Sequence, residues 1–260
     1  MNRRALGEAV RSAAQRVIAA PGGLGVSLAF YLVIVAVLSG LWRVAVGQND
    51  GDLAGYGAVA LTWYIVTSEA ATVAIHARLI ADIGDDIGSG AIAVELLRPA
   101  SVLGVRVASE VGRTLPKLAV LWVAGGLLAT VVAGGPPRPA ALLLAAPSLV
   151  LAVVANLIAQ HAVAGAAFWL RDAGSAWFLY LKAVFITGGM IIPLELLPHT
   201  LERVSLVLPF RAMAYAPARL ASGHVEPELL LQQVAWIAVL WVAAVAVFGA
   251  GERRLQVVGG

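Results

Sequence analysis

The side chains that could do chemistry in this 260-residue chain are few, and they form no familiar catalytic set. The histidines are scattered, at His76, His161, His199 and His224, and there is no cysteine. Ser148 and His161 fall in one apolar run, but they are thirteen positions apart, which corresponds to about 20 Å along a straight helix. They therefore cannot act as a nucleophile–base pair on one helix.

Sequence motifs for nucleotide, metal or ester chemistry are also absent. No GxxxxGK[ST] phosphate loop occurs, and Lys117 follows Thr114-Leu115-Pro116 without a glycine cradle. Neither an HExxH zinc motif nor a GxSxG nucleophile elbow is present. The sequence therefore predicts a chain that is not an enzyme and binds no cofactor of its own.

Among the polar residues inside long apolar runs, three are candidates for a functional role. Glu69 lies well within one run, while Asn156 and Gln160 are four residues apart in another and share a helical face. Ionisable groups inside a bilayer often mark transport pathways, whereas Asn and Gln also hydrogen-bond between helices. We interpret all three as pathway or helix-interface residues. A carboxylate at Glu69 that reaches interfacial water, or pairs with a neighbouring helix, is the simpler alternative.

The composition defines the elements that must hold these residues. Hydrophobic residues make up 60% of the chain and charged residues 13%, against about 45–50% and about 25% in soluble domains. The net charge is +3, but the basic residues lie between apolar runs instead of forming a patch. We expect a chain that lies in a lipid bilayer and does not bind nucleic acid.

Six apolar runs approach the length of about 20 residues that a membrane-spanning helix needs. They are residues 24–41, 53–75, 115–132, 140–170, 177–197 and 229–250. With the N-terminus in the cytoplasm, 13 Lys and Arg residues lie on the cytoplasmic side and 5 on the other. The positive-inside rule therefore predicts six spans with both termini in the cytoplasm.

The first 21 residues have helical periodicity before the first apolar run begins. Polar residues Arg4, Glu8, Arg11 and Gln15 recur on one face, opposite Leu6, Val10, Ala13 and Val17. This pattern predicts an amphipathic helix over residues 1–21 that lies in the membrane interface. A short basic stretch that only sets topology is the alternative.

Residues 76–114 form the largest predicted cytoplasmic element. We expect the second helix to continue out of the membrane until Gly88-Ser89-Gly90 breaks it. Pro99 disfavours helix at the preceding residue, and Ser101 is a candidate N-cap for the third long helix. The segment is either a docking surface for a cytoplasmic partner or a solvated loop that fixes topology.

Residues 188–223, before the last span, are divided by prolines. Pro193, Pro198 and Pro209 separate apolar runs that are too short to cross a membrane, and Glu195 lies among them. Such runs are typical of re-entrant or interfacial pieces. A hydrophobic surface helix in an ordinary outer loop is the alternative.

Several motifs, taken in order, resemble those of a known family. The chain is similar to the short six-span permeases of ABC exporters, the type-2 class, in a bacterial branch of about 260 residues. The motifs are IGSGAIAVELLRP at 87–99, FWLRD at 168–172, GGMIIPLELLP at 188–198, LPF at 208–210 and PAR at 217–219. The similarity extends over nearly the whole chain.

The resemblance implies an all-α permease in the bacterial inner membrane. Its partners would be a cytoplasmic P-loop ATPase, which carries ATP and Mg, and a second permease chain, identical or homologous. The coupling residues would be Asp86, Ile87, Ser89, Ile92, Glu95, Leu97 and Arg98. The helix over 1–21 would be the connecting helix, and 188–223 the extracellular re-entrant segment. A secondary transporter or a non-transporting membrane scaffold is the alternative function.

Overall fold

The computed structural model describes residues 3–19, 22–96, 101–133, 135, 138–169 and 174–258. Within these ranges every regular element is a helix. The α-helices are α1 (Arg3–Ala19), α2 (Gly22–Gly47), α3 (Ala58–Ala74), α4 (Leu79–Gly88), α5 (Ile92–Leu96), α6 (Val102–Ala133), α7 (Pro139–Ala164), α8 (Gly174–Thr187), α9 (His199–Val207), α10 (Tyr215–Ala221) and α11 (Glu228–Val258). Short 3₁₀ turns cover Gly165–Phe168, Leu194–Leu196 and Pro209–Ala212.

Five helical stretches of 25 to 32 residues are long and apolar enough to cross a bilayer, and one of them, Ala58–Gly88, comprises both α3 and α4. The predicted all-α, polytopic membrane fold is therefore confirmed. The predicted fifth span, 177–197, differs: its helix α8 has 14 residues, or about 21 Å, against a hydrocarbon core of about 30 Å. The helix ends at Thr187 because Gly189 adopts a positive φ of 66° and the chain turns there.

The predicted continuation of the second helix into the charged segment is wrong. Helix α3 ends at Ala74, Ile75 has extended backbone with ψ 147°, and α4 starts afresh at Leu79. The new helix start is held by side chains, because His76 and Arg78 contact Asp82 at 2.9 and 3.4 Å. An acidic residue in the first turn also suits the helix dipole. The break after α4 at Gly88-Ser89-Gly90 is confirmed, with Gly90 at φ 76°.

Helix α6 extends beyond the apolar core into the charged end of the molecule, which we define as α1, α4, α5 and the first turns of α6. Its predicted N-cap is present, since the Gly104 amide donates to Ser101 Oγ at 3.2 Å. Pro116 lies inside α6, and its ring removes the amide that would bond the Gly112 carbonyl.

Helix α1 confirms the predicted helical periodicity, and it packs against protein; its position in the membrane interface stays a prediction. It packs along the start of α6, and Ala13 is fully buried there. The contact is close because α6 presents glycine: a Cβ at Gly112 would lie 2.2 Å from the Val10 carbonyl oxygen. The face of α6 at Gly104 is less crowded, with Leu6 at 3.5 Å.

A buried amide joins α7 to the last helix, α11. Gln233 donates through Nε2 to the carbonyls of Ser148 (3.0 Å) and Ala212 (2.8 Å), and its Oε1 accepts from Ser148 Oγ at 2.8 Å. Gln233 is fully buried. Its polar atoms therefore satisfy groups on two other elements, α7 and the 3₁₀ turn Pro209–Ala212.

Replacement of Gln233 by Leu is expected to destabilise the fold by about 1–3 kcal/mol, because two carbonyls and one hydroxyl lose their partner in the core. The neighbouring Gln232 is exposed, so Gln232→Leu is the matched control and should change little. Thermal unfolding in detergent compares the two variants. Equal midpoints would contradict a structural role for the buried amide.

Candidate functional site

Arg106 is the centre of an ion-pair network at the charged end. Its guanidinium donates to both carboxylate oxygens of Glu95 at 2.7 and 2.8 Å, and pairs with Asp86 at 2.8 Å. The Arg106 side chain is only 14% exposed. Because Asp86 is on α4 and Glu95 on α5, this one side chain fastens both short helices to the start of α6. Fork-like Arg–carboxylate pairing of this kind has a fixed geometry.

The network borders a polar cavity of about 430 Å³. Besides Arg106 and its partners, its polar lining includes Arg16, His76, Asp82, Glu110, Arg113 and His161. His161 is buried, and its Nδ1 contacts the Leu157 carbonyl at 2.7 Å, while Nε2 has no hydrogen-bond partner among the described residues. Among these residues no three His, Asp or Glu side chains are placed to hold a metal ion.

The structure distributes the predicted coupling residues between the interior and the surface. Ile87 and Ile92 are 4% and 0% exposed, so they anchor the segment and do not face a partner. Asp86 and Glu95 pair with Arg106, whereas Ser89 is exposed at the turn. Leu97 and Arg98 lie outside the described residues. The coupling role itself stays a prediction.

The exposed part of this segment is the turn and the outer face of α5, which we call the tip (residues 88–91, 93 and 94). Val94 is 65% exposed there, an unusual position for a large aliphatic side chain at a charged end. Sequence reasoning missed both Val94 and Arg106 as site residues. The signal for Arg106 was its place in a polar stripe at helical spacing on α6.

Glu195 is the hub of a second network, at the opposite end of the bundle. Its carboxylate accepts from the hydroxyls of Tyr215 (2.6 Å) and Tyr56 (3.3 Å) and pairs with Arg219 at 3.2 Å. Arg219 also pairs with Glu226 at 2.9 Å and lies over the Tyr56 ring. Burial raises the pKa of both tyrosines, so they stay protonated and able to donate to the carboxylate.

These contacts fix the predicted re-entrant segment, 188–223. The Tyr64 hydroxyl donates to the Gly189 carbonyl, and the Tyr215 amide donates to the Gly188 carbonyl at 2.9 Å. The prolines Pro193, Pro198 and Pro209 each stand at the start of a short helix. Helix α10 is buried against α3 and α7, whereas much of α9 is exposed. The depth of segment 188–223 in the bilayer stays a prediction.

Replacement of Glu195 by Gln is expected to destabilise this end by about 1–3 kcal/mol, because Arg219 and two tyrosine hydroxyls lose a charged acceptor. Glu202→Gln is the control, since its only ion-pair partner among the described residues is His199, which is 96% exposed. The measurement is proteolysis of segment 188–223 in intact cells or oriented vesicles. Identical cleavage rates in the two variants would contradict the hub role of Glu195.

A groove of about 470 Å³ lies between α2, α3, α6, α7 and α8. Its polar lining contains Asn156 and Gln160, which the sequence singled out, together with Lys117 and Tyr180, which it did not. Asn156 Oδ1 accepts from the Tyr180 hydroxyl at 2.7 Å and from Gln160 Nε2 at 2.9 Å. The predicted amide pair is therefore brought together at a lined opening.

Glu69, the third predicted pathway residue, lies elsewhere. It is 3% exposed on α3 and is not part of the groove lining, although Thr72 and Val73 on the same helix are. It forms no ion pair with any other described residue. The structure therefore separates Glu69 from the amides, and its role stays a prediction.

A comparison with protein families gives the class of this molecule. A family model described as "ABC-2 family transporter protein" matches residues 30–259. The chain therefore belongs to the ABC-2 transporter family, as its motifs indicated. A search of curated proteins gave no significant match. With its apolar helices, the chain is a multi-pass membrane protein and a permease subunit of an ABC transporter.

Proposed function

We propose that this chain is the membrane subunit of an ATP-driven exporter in the bacterial inner membrane. ATP and Mg belong to a separate P-loop ATPase subunit, which docks at the charged end, so both chain termini lie in the cytoplasm. The observation that carries the proposal is the Arg106 network, because it links a protruding tip directly to a helix long enough to span the bilayer.

The tip is suited to a protein partner by shape and chemistry. Its outward residues are small or apolar, Val94 being the largest, while Ile87 and Ile92 hold it from inside. An exposed aliphatic side chain gains free energy when a partner covers it and removes it from water. A force on the tip would reach α6 directly through Arg106.

In the mechanism that this proposal implies, closure of the ATPase dimer displaces the tip. Arg106 transmits the displacement to α6, and the break at Ile75 lets α4 move separately from α3. The groove bounded by α2, α3, α6, α7 and α8 then changes the side of the membrane from which it can be reached. The partner must bind the two permease states with different free energies, since no ligand shifts an equilibrium otherwise.

A second permease chain, identical or homologous, is part of this proposal. One face of α2 carries exposed large apolar side chains at helical spacing: Val26, Phe30, Val33, Val37, Leu41 and Val44. The groove opens beside the same face, since Val26 and Phe30 line it. A second chain placed here would complete the substrate path between the two copies.

The decisive experiment is purification of the tagged chain from its native host in mild detergent, followed by mass spectrometry. A stoichiometric P-loop ATPase supports the exporter, and a second six-span protein beside it identifies a heterodimer. Repeated recovery of the chain alone would overturn the proposal in favour of a secondary transporter or a membrane scaffold.

Replacement of Val94 by Asp is expected to lower permease-stimulated ATP hydrolysis at least about fivefold, because a charge would be desolvated in the docking contact. Val207→Asp is the matched control, since Val207 is 70% exposed on α9 at the opposite end. Hydrolysis by the reconstituted complex is compared with co-purification of the ATPase. Full stimulation with Val94→Asp would refute docking at the tip.

A further inference from the structure

We propose that the groove binds amphiphiles with an anionic head group, which contacts the Lys117 ammonium and the Asn156 amide. This inference names a ligand class for the path of the proposed function and rests on that function only for transport. Binding itself is a property of this chain, so it is tested separately.

The charged side chain in the groove lining is positive. Among the described residues that line the groove, Lys117 is the only Lys or Arg, and none carries a carboxylate. Lys117 forms no ion pair with any described residue, in contrast to Arg106 and Arg113 on the same helix. The other group that can carry positive charge there, His76, already contacts Asp82 at 2.9 Å. A half-buried ammonium beside apolar surface is best compensated by an anion.

The amide pair supplies a second donor. Asn156 Oδ1 is occupied by Tyr180 and Gln160, which fixes the orientation of the amide. The Asn156 Nδ2 group then donates to no acceptor among the described residues. The polar side of the groove therefore offers an unused cation and an unused N–H donor, while the Asn156 side-chain carbonyl already accepts two hydrogen bonds.

The rest of the groove is apolar and suits a hydrocarbon chain. Val26 and Phe30 from α2 face Leu181 and Val184 from α8 across it, and Trp177 adds an aromatic side chain. Val26 and Phe30 are largely exposed in the single chain, so the apolar side of the groove is accessible from outside the bundle. A small hydrophilic anion would leave this surface unused, whereas an amphiphile covers it and gains the burial.

Two sources share this chemistry: a phospholipid with an acidic head group, and a free amphiphile such as a fatty acid. Both place an anion at Lys117 and a chain along the α2–α8 surface. The proposal is the shared recognition, and the experiment distinguishes the sources.

The test measures equilibrium binding of 11-(dansylamino)undecanoic acid and of its methyl ester to the purified chain in phosphatidylcholine nanodiscs. The wild type should bind the acid at least about tenfold more tightly than the ester, a difference of ~1.4 kcal/mol. Lys117→Gln and Asn156→Asp should abolish this preference, while Lys117→Arg should retain it. Lys182→Gln is the control, because Lys182 stacks over Phe178 and Phe185 away from the lining.

Equal affinity for acid and ester in the wild type would overturn the proposal, as would a preference that survives Lys117→Gln. Unchanged thermal unfolding of the variants shows that loss of binding is not loss of fold. Nanodiscs with added phosphatidylglycerol separate the sources: competition with the dansyl acid assigns the groove to a phospholipid, and its absence to a free amphiphile. If no ATPase were recovered with the purified chain, the exporter proposal would be refuted. The expected affinities for the dansyl acid and its ester would not change.

Discussion

Replacement of Arg106 by Ala is expected to reduce permease-stimulated ATP hydrolysis at least about tenfold and to destabilise the charged end by about 2–3 kcal/mol. Glu95 and Asp86 would lose a charge-assisted partner, and such bonds contribute about 1.5–3 kcal/mol each. Both carboxylates are partly exposed, so water offsets some of the loss. The measurements are stimulated hydrolysis and hydrogen exchange of α4 and α5.

The control for Arg106 is Arg78→Ala, which removes an ion pair of α4 whose arginine is 71% exposed. Exposed pairs contribute little, so its cost should stay below about 0.5 kcal/mol. Arg106→Lys keeps the charge but loses the forked hydrogen bonding. Its stimulated hydrolysis and its hydrogen exchange should lie between those of Arg106→Ala and Arg78→Ala. If Arg106→Ala behaved like Arg78→Ala in both measurements, the network would not be the link between tip and bundle.

Replacement of Gly112 by Val is expected to displace α1 from α6. A Cβ at this position would lie 2.2 Å from the Val10 carbonyl oxygen and 2.8 Å from its Cα, so backbone must move. Overpacking costs typically about 1–3 kcal/mol, and here the obstacle is main chain that no rotamer change can clear. Trypsin cleavage at Arg11 and Arg16, which are exposed, should accelerate at least about tenfold.

The matched control is Gly104→Ala, two turns earlier on α6. Its Cβ would meet Leu6 and Ser101 at 3.5 Å, an ordinary contact, and Ala is the better helix former. This variant should be as stable as the wild type or slightly more so. Slow trypsin cleavage of Gly112→Val, equal to that of Gly104→Ala, would show that α1 does not need the close approach.

Much of the fold could be predicted because a bilayer-spanning chain needs long apolar helices, and the apolar runs that form them can be recognised in the sequence. The Ser101 cap and the Gly88–Gly90 turn were predictable for a local reason, since capping and positive φ select particular residues. The break after α3 could not be predicted, because Ile75-His76-Ala77 contains neither Gly nor Pro. The break is accompanied by the contact of His76 with Asp82, six residues away in the chain.

The sites were less predictable than the helices. Ile87 and Ile92 fall within a predicted coupling motif, but an apolar residue on an amphipathic helix faces the core, which the motif alone does not reveal. Glu195 was singled out among the prolines, yet its partner Tyr56 is 139 residues away in the chain. Contacts of that separation depend on how the helices pack, and no local pattern encodes them.

Pro116 gives α6 a mechanical property. Without the hydrogen bond at the Gly112 carbonyl, the helix has a compliant point that divides it into two unequal lever arms. From Gly112 to Val102 the short arm is roughly 15 Å, and from Pro116 to Ala133 the long arm is roughly 26 Å. A tilt imposed on the short arm through Arg106 would therefore bend α6 next to Lys117, which lines the groove, so the shape of the groove could change while the long arm keeps its packing in the bundle.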